Sequence, residues 1–332
     1  MTKMALIGGG HIHTPNFAKI LSAADGVEVT HVWDPDPAVA AERQAATGGE
    51  VVDSYQAALG DGVDAVVICS QTDLHRELVL ATVDAGKHLF VEKPLGIGAK
   101  DAREMADAID QAGVIFQTGY FMRGSPWAQY THAAVRERRL GQLTRLRLSN
   151  AHNGVTAQWL EDWTWMLDPQ RAGVGALGDL GTHVLDLCLW WMEGDPVVAA
   201  TGAVGTATGR HDNIDEYGEA MLKFDSGAVA TLCGGWVDMA DPQRMLVSGL
   251  DGTLYHQGGD LHQVMRGDGR DKQEGVVENL PEAWPHAFNL FLEAVGGKDD
   301  VPLVTAQEAA YRSIVMDAVY RGAREGTWAS VG

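Results

Sequence analysis

Short apolar runs alternate with amphipathic stretches through the first third of the chain. Met4–Ile7 predicts a buried strand that runs into three glycines, with a helix behind them through Phe17–Leu21. Val27–Trp33 predicts a second strand, Ala38–Thr47 a helix and Glu50–Val52 a short strand. Val63–Cys69 (Val-Asp-Ala-Val-Val-Ile-Cys) reads as the clearest buried strand, followed by a helix over Glu77–Ala85 that Gly86 stops. His88–Val91 is the next strand, Ala99–Ala112 a helix and Val114–Thr118 a last strand. Strands separated by helices at this spacing need right-handed crossovers and a parallel sheet covered on both faces.

The rhythm changes after Tyr120. A helix is expected over Pro126–Arg138, then a half-exposed strand over Leu143–Ser149, where apolar and polar residues alternate. Glu219–Phe224, Ala228–Gly234, Arg244–Gly249 and Thr253–Gln257 alternate in the same way. Turn signals at Asp225-Ser226-Gly227 and Asp251-Gly252 separate them, which predicts an antiparallel sheet. Helices over Leu177–Met192, Pro285–Val295 and Thr305–Glu325 are expected to cover one face of it. The fold class is therefore α/β, a doubly wound N-terminal Rossmann sheet (1–122) followed by a C-terminal α+β domain (123–332). A chain of 332 residues suits two such domains.

Charge narrows the partners. With 45 acidic against 25 basic residues the formal charge is −20, a surface that repels nucleic acid and anionic membrane. Any site for an anionic ligand must then use backbone donors and a few placed cations. Cys69, Cys188 and Cys233 are widely spaced, so neither a disulfide framework nor a structural zinc is expected. The opening apolar run is too short for a signal-peptide core and no segment is long enough to span a bilayer, so a cytoplasmic protein is expected.

Three groups of residues carry candidate chemistry. Gly8-Gly9-Gly10 follows the first strand, where glycine lets the backbone turn and approach a pyrophosphate at a helix N-terminus. His13 stands where a third glycine would complete the motif, and a plain strand-to-helix turn would also explain the run. Asp34 ends the second strand, where a carboxylate can accept hydrogen bonds from the adenosine ribose hydroxyls and repel a 2′-phosphate. A helix-capping role is its plainer alternative. Together these features favour NAD. Glu92-Lys93-Pro94 follows the strand His88–Val91, at a carboxyl end where open α/β sheets place ligands, although by itself the tripeptide reads more readily as a surface loop with a solvated lysine. Asp179 and His183, four apart, share one face of a predicted helix. An imidazole titrates near neutrality, which suits a group that must take a hydroxyl proton and return it, although a helix cap and a core histidine would look the same. No third and fourth ligand accompany this pair, so no metal is expected.

These segments, together with Val63–His75, Ala85-Gly86-Lys87-His88, Gly119-Tyr120 and Phe224-Asp225-Ser226-Gly227, resemble the Gfo/Idh/MocA oxidoreductases over nearly the whole chain. The resemblance implies that Lys93, Asp179 and His183 are catalytic, with His183 as the acid/base. It implies cofactor contacts from Gly8, Gly10, His11, Ile12, Asp34, Ser70, His75, Glu92 and Lys93. Substrate contacts are implied for Lys93, Tyr120, Asn153, Trp163, Asp179 and His183. It further implies an open C-terminal sheet used for homodimer or homotetramer assembly, and a sugar, cyclic polyol or glycoside as substrate. The reaction would oxidise a secondary hydroxyl to a ketone, or an anomeric carbon to a lactone. Alternatives are a glycosidase or lyase that recycles tightly bound NAD through transient oxidation, and a non-catalytic NAD- or sugar-binding sensor.

The chain departs from the family at His13, at Ser70-Gln71-Thr72, where a Thr-Pro pair is common, and at Gly173-Val174-Gly175, where three glycines are commoner. Trp159, Trp163 and Trp165 fall in an expected loop ahead of the Asp179 helix. They are read equally as stacking faces for a sugar ring or as a satellite core.

Overall fold

The computed structural model describes residues 1–211 and 213–332. In chain order the elements are β1 (Thr2–Ile7), α1 (Thr14–Ala23), β2 (Val27–Trp33), α2 (Pro37–Thr47), β3 (Glu50–Val51), α3 (Tyr55–Ala58), β4 (Ala65–Ile68), α4 (Thr72–Asp84), β5 (His88–Val91), α5 (Gly98–Ala112), β6 (Phe116–Thr118), α6 (Pro126–Arg136) and β7 (Leu143–Ala151). They continue through α7 (Pro169–Ala172), α8 (Ala176–Trp191), β8 (Val197–Gly205), β9 (Tyr217–Phe224), β10 (Val229–Gly235), β11 (Met245–Gly249) and β12 (Gly252–Gln257). The last are β13 (Asp260–Arg266), β14 (Lys272–Val276), α9 (Ala287–Val295), α10 (Ala306–Glu325) and β15 (Ala329–Ser330).

Two compact units emerge. The first takes Met1–Tyr120, Trp163–Gly173 and Pro285–Ser313; the second takes Phe121–Asp162, Val174–Trp284 and Ile314–Gly332. In the first, six parallel strands run in the order β3-β2-β1-β4-β5-β6. The order reverses between β1 and β4, and that reversal opens a crevice at the strands' carboxyl ends. β4 and most of β1 and β5 are buried, as expected of strands covered on both faces.

Helix α9 differs from expectation. It packs behind β5 and β6 of this parallel sheet and does not cover the other one. Aromatic packing accounts for this: Phe288 stacks on Phe17 of α1, with ring centroids 4.3 Å apart, and meets Phe90 of β5 edge-on at 5.0 Å. Phe291 joins the same buried cluster.

In the second unit nine strands form one sheet in the order β14-β13-β12-β11-β7-β10-β9-β8-β15. Neighbours are antiparallel except β7 and β10, which pair in parallel. β9 alternates strictly between exposed and buried residues, so one face is covered and the other open. Helix α8 lies on the covered face against β7, β9 and β10, and every residue from Ala176 to Leu189 is buried. Among the described residues no helix is long and apolar enough to cross a membrane.

Candidate active site

The glycine turn is built against the end of β4. Gly8 has φ +75°, and a Cβ there would lie 2.5 Å from the Cβ of Ser70, so only glycine fits. Gly9 donates its amide to Asp34 Oδ2 at 2.6 Å. Its carbonyl accepts from the buried Arg43 guanidinium at 3.0 Å. A Cβ on Gly10 would find no atom nearer than Asp34 Oδ2 at 3.9 Å, so a ligand can approach this stretch of backbone closely. The His11 amide donates to the Cys69 carbonyl at 3.1 Å, tying the turn to β4. Helix α1 starts at Thr14, one residue after His13.

Asp34 stands one residue beyond β2. Its Oδ1 accepts the Asp36 amide at 2.8 Å while Oδ2 holds Gly9. Burial pushes this carboxyl above its ordinary value, opposed by the amides of Asp36, Gly9 and Gly10. Each carboxylate oxygen has a second lone pair, so acceptor capacity is left for a diol. The strand order, the tight turn at Gly8, the open backbone at Gly10 and an acidic acceptor at the end of β2 fit a dinucleotide with a free 2′-hydroxyl. Arg43, which sequence reasoning overlooked, is occupied by the Gly9 carbonyl and by Glu42 Oε1 at 2.9 Å.

Glu92 and Lys93 follow β5, and both are buried. Glu92 Oε1 meets His13 Nδ1 at 2.9 Å, and Oε2 accepts the Lys93 amide at 3.0 Å. Burial would raise this carboxyl, but His13, His11 and Lys93 together hold it well below the usual carboxylate range. Gly119 packs so closely that a Cβ would lie 2.9 Å from Glu92 Oε2. The Lys93–Pro94 peptide is cis. His75 is buried on α4, with Nδ1 donating toward the carbonyls of Pro94 and Leu95 at 3.1 and 3.2 Å. This histidine therefore braces the loop that carries Lys93.

In the second unit Asp179 and His183 are both buried, one turn apart on α8. Asp179 Oδ2 accepts the indole N–H of Trp236 at 3.0 Å. Phe121 meets the His183 ring edge-on, with centroids 5.1 Å apart. One turn further along, Asp186 and Arg123 form a buried two-point ion pair at 2.6 and 2.9 Å.

The start of α8 has no capping side chain of its own. Asp215 supplies one from the segment before β9: its Oδ2 accepts the Leu177 amide at 2.8 Å and its carbonyl the Ala176 amide at 2.9 Å. Tyr320 of α10 donates its hydroxyl to Asp215 Oδ1 at 3.0 Å and accepts the amides of Gly178 and Gly175 at 2.9 and 3.2 Å. Burial raises both the Asp215 carboxyl and the Tyr320 phenol, and the neighbouring carboxylate adds to the shift of Tyr320. The glycines here fit the network, since a Cβ on Gly175 would collide with Asp215 at 2.4 Å.

The remaining expected residues are less concentrated. Tyr120 belongs to the buried core of the first unit. The Asn153 carbonyl closes a turn, accepting from Ala157 N at 2.8 Å and Thr156 Oγ1 at 3.0 Å. The tryptophan segment is a 3-10 helix over Trp159–Leu167, broken at Trp163, where a loop was expected. Trp165 is buried and donates its indole N–H to the Gly10 carbonyl at 2.8 Å, so it is part of the fold and not a free stacking face.

A parallel six-stranded Rossmann unit with this turn and acidic residue defines an NAD-binding oxidoreductase. Residues 2–120 match the oxidoreductase family with an NAD-binding Rossmann fold, and residues 128–255 match the GFO/IDH/MocA C-terminal domain. The chain belongs to the Gfo/Idh/MocA family, and its cofactor is NAD. It is 28% identical to 1,5-anhydro-D-fructose reductase of Ensifer adhaerens, covering 100% of this chain and 99% of that one. It is 25% identical to inositol 2-dehydrogenase of Rhizobium meliloti (strain 1021), covering 94% and 96%. Among solved structures, a levoglucosan dehydrogenase in complex with NADH shares the fold, with a TM-score of 0.82 at 20% identity over 100% and 99% of the two chains.

Two predictions follow from these contacts. If Asp34 is the ribose acceptor and repels a 2′-phosphate, Asp34→Ala should lower NAD affinity about ten- to a hundredfold and narrow the preference over NADP. Calorimetric titration of both cofactors measures this, and a wild-type protein that uses NADP at higher kcat/KM than NAD contradicts the role of Asp34. Tyr320→Phe leaves two α8 amides and Asp215 short of a partner and should lower stability by about 1–3 kcal/mol. An unchanged denaturation midpoint would show that the hydroxyl does not hold the helix start.

Proposed function

We propose that the protein oxidises a secondary hydroxyl of a neutral sugar or cyclic polyol to the ketone, or an anomeric carbon to the lactone, reversibly and with NAD. The observation that carries this reading is the Asp179/His183 pair, buried one turn apart on a helix whose first amides are held in place by Asp215 and Tyr320. Bound NAD supplies the hydride acceptor. The chain must then remove the hydroxyl proton and stabilise charge on the oxygen as the hydride leaves.

His183 is the acid/base, because an imidazole is the side chain whose ordinary titration lies nearest working pH. Lys93 is cationic and stands at the carboxyl end of β5, where open sheets bind ligands; it anchors the hydroxyl and stabilises developing alkoxide charge. Asp179, whose Oδ2 accepts the Trp236 indole N–H, orients the imidazole or a second hydroxyl. A formal charge of −20 favours a neutral substrate over an anionic one. The names of the anhydrofructose reductase and the inositol dehydrogenase point to polyhydroxylated rings. Assembly as a homodimer or homotetramer is part of the same reading, supported by the open face of β9, where Tyr217 and Met221 are exposed.

A panel of inositols, aldopyranoses, glycosides, sugar phosphates and 2-keto acids, assayed with NAD for both NADH and product, tests the substrate class. Neutral polyols should give the highest kcat/KM, and a phosphorylated sugar or keto acid exceeding all of them would contradict it. Product formed without NADH release would assign the recycling mechanism instead. On the best substrate, His183→Ala should lower kcat by at least about 10²-fold while NAD affinity stays nearly unchanged. Lys93→Ala should impair both turnover and substrate binding, and Asp179→Asn should be the mildest of the three. The kcat/KM profile for oxidation should rise as a histidine-range group loses its proton, and the His183 variant should lose that limb. A folded, NAD-binding His183→Ala enzyme with near wild-type turnover would remove the histidine from the mechanism.

A further inference from the structure

The glycine turn departs from its family at His13, and the side chain there does not cap α1. Its backbone is helical, with φ −81° and ψ −17°, and its Nδ1 reaches Glu92 Oε1 at 2.9 Å. Glu92 is fully buried, while the His13 side chain is 38% exposed. The other oxygen of Glu92 accepts the Lys93 amide at 3.0 Å, and Gly119 closes the carboxylate from that side. A chain of two hydrogen bonds therefore runs from the cofactor turn to the backbone of Lys93.

The titratable groups around this carboxylate are His11 and His13 from the turn, Lys93 from its own loop, His75 from α4, Cys69 after β4 and His286 ahead of α9. Donor atoms of His11, His13 and Glu92 all lie within 4.8 Å of one another, a spacing a divalent cation could use. Two observations favour a hydrogen-bonded pair over a metal. The His11 Nδ1 accepts the His13 amide at 3.2 Å, which in the neutral ring leaves the proton on Nε2. The cluster also lies at the start of α1, where the helix dipole disfavours a cation.

We propose that His13 is a positioning residue for Lys93: its imidazole holds the buried Glu92 carboxylate, and Glu92 fixes the Lys93 backbone, so the turn and the lysine loop form one rigid piece. Removing His13 takes away the hydrogen-bond partner of a buried carboxylate oxygen. Without His13, burial would act on Glu92 with less opposition, and the carboxyl would take up its proton at higher pH. Protonated Glu92 is a weaker acceptor, and the Lys93 amide would be released. This inference rests on the proposed catalytic role of Lys93, but its primary test does not need turnover.

The test compares wild type with His13→Gly, which restores the glycine, and His13→Gln, whose side-chain amide can still donate to Glu92. Amide hydrogen exchange of the segment containing Lys93 is followed from pH 5.5 to 8, with NADH affinity and, on the best substrate, kcat and KM. In His13→Gly the Lys93 amide should exchange at least tenfold faster, about one RT ln 10 step in local stability, and the effect should grow as pH falls. His13→Gln should restore most of the protection at pH 8 and less at pH 5.5. NADH affinity should change little, whereas kcat should fall about ten- to a hundredfold in His13→Gly, as misplacement of a catalytic group by an ångström does. Unchanged Lys93 exchange in both variants would overturn the proposal, as would equal losses in kcat and NADH affinity. Stoichiometric Zn²⁺ uptake by wild type that His13→Gln abolishes would also overturn it, because the cluster would then be a metal site. Failure of the underlying reading is separate: a Lys93→Ala enzyme that turns over normally removes the lysine's role whatever the exchange data show.

Discussion

A helix begins with backbone N–H groups that its own turns cannot satisfy, and α8 begins with them buried. Water cannot serve them there, so partners must come from elsewhere in the chain. Asp215 and Tyr320 provide them, from the segment before β9 and from α10. The arrangement allows a helix to be buried along almost its whole length while carrying Asp179, His183 and Asp186. Trp236 donates to Asp179 and Arg123 to Asp186. Losing the capping network would leave several buried amides without acceptors at once, each costing about 1–3 kcal/mol.

The first unit meets a similar requirement with another buried carboxylate. Glu92 sits where the sheet's carboxyl edge must stay open for NAD, and hydrogen bonds from His13 and the Lys93 amide keep it ionised in a dry place. The cofactor's phosphates place the opposite demand on a chain of charge −20. In the proposed site, backbone amides and a helix N-terminus would answer it without a basic surface. Arg43 adds a cation next to the turn, but its guanidinium is spent on the Gly9 carbonyl and on Glu42.

Local features were legible in the sequence and distant ones were not. β2 and β5 lie where apolar patterning puts them: β5 buries the consecutive run Leu89–Val91, and β2 buries Val29 and Val32. Gly8, Asp34 and Lys93 were found because each follows such a strand. β8 and β14 escaped notice: Val197–Gly205 is rich in alanine and glycine, and Lys272–Val276 is an exposed edge strand with charged residues. Helix α9 was assigned to the wrong sheet because its amphipathic pattern does not name a partner; the partners are Phe17 and Phe90, about 200–270 residues earlier in the chain. Asp215, Tyr320 and Trp236 carry no local signal for the helix they serve. For Trp165 the structure favours the packing alternative over the stacking one, since its indole is buried and bonded to Gly10.

In the proposed reaction hydride passes from a carbinol carbon of a polyhydroxylated ring to NAD. Transfer of deuterium reads this directly: sugars and inositols deuterated at their ring carbinol carbons are incubated with the enzyme and NAD, and the nicotinamide is recovered from solution and from denatured protein for mass spectrometry and NMR. Deuterium should appear at nicotinamide C4, on one face, from at least one neutral ring, and none should appear with the His183→Ala enzyme over the same interval. Product formation from a deuterated ring with no deuterium in either the free or the protein-bound nicotinamide would contradict it.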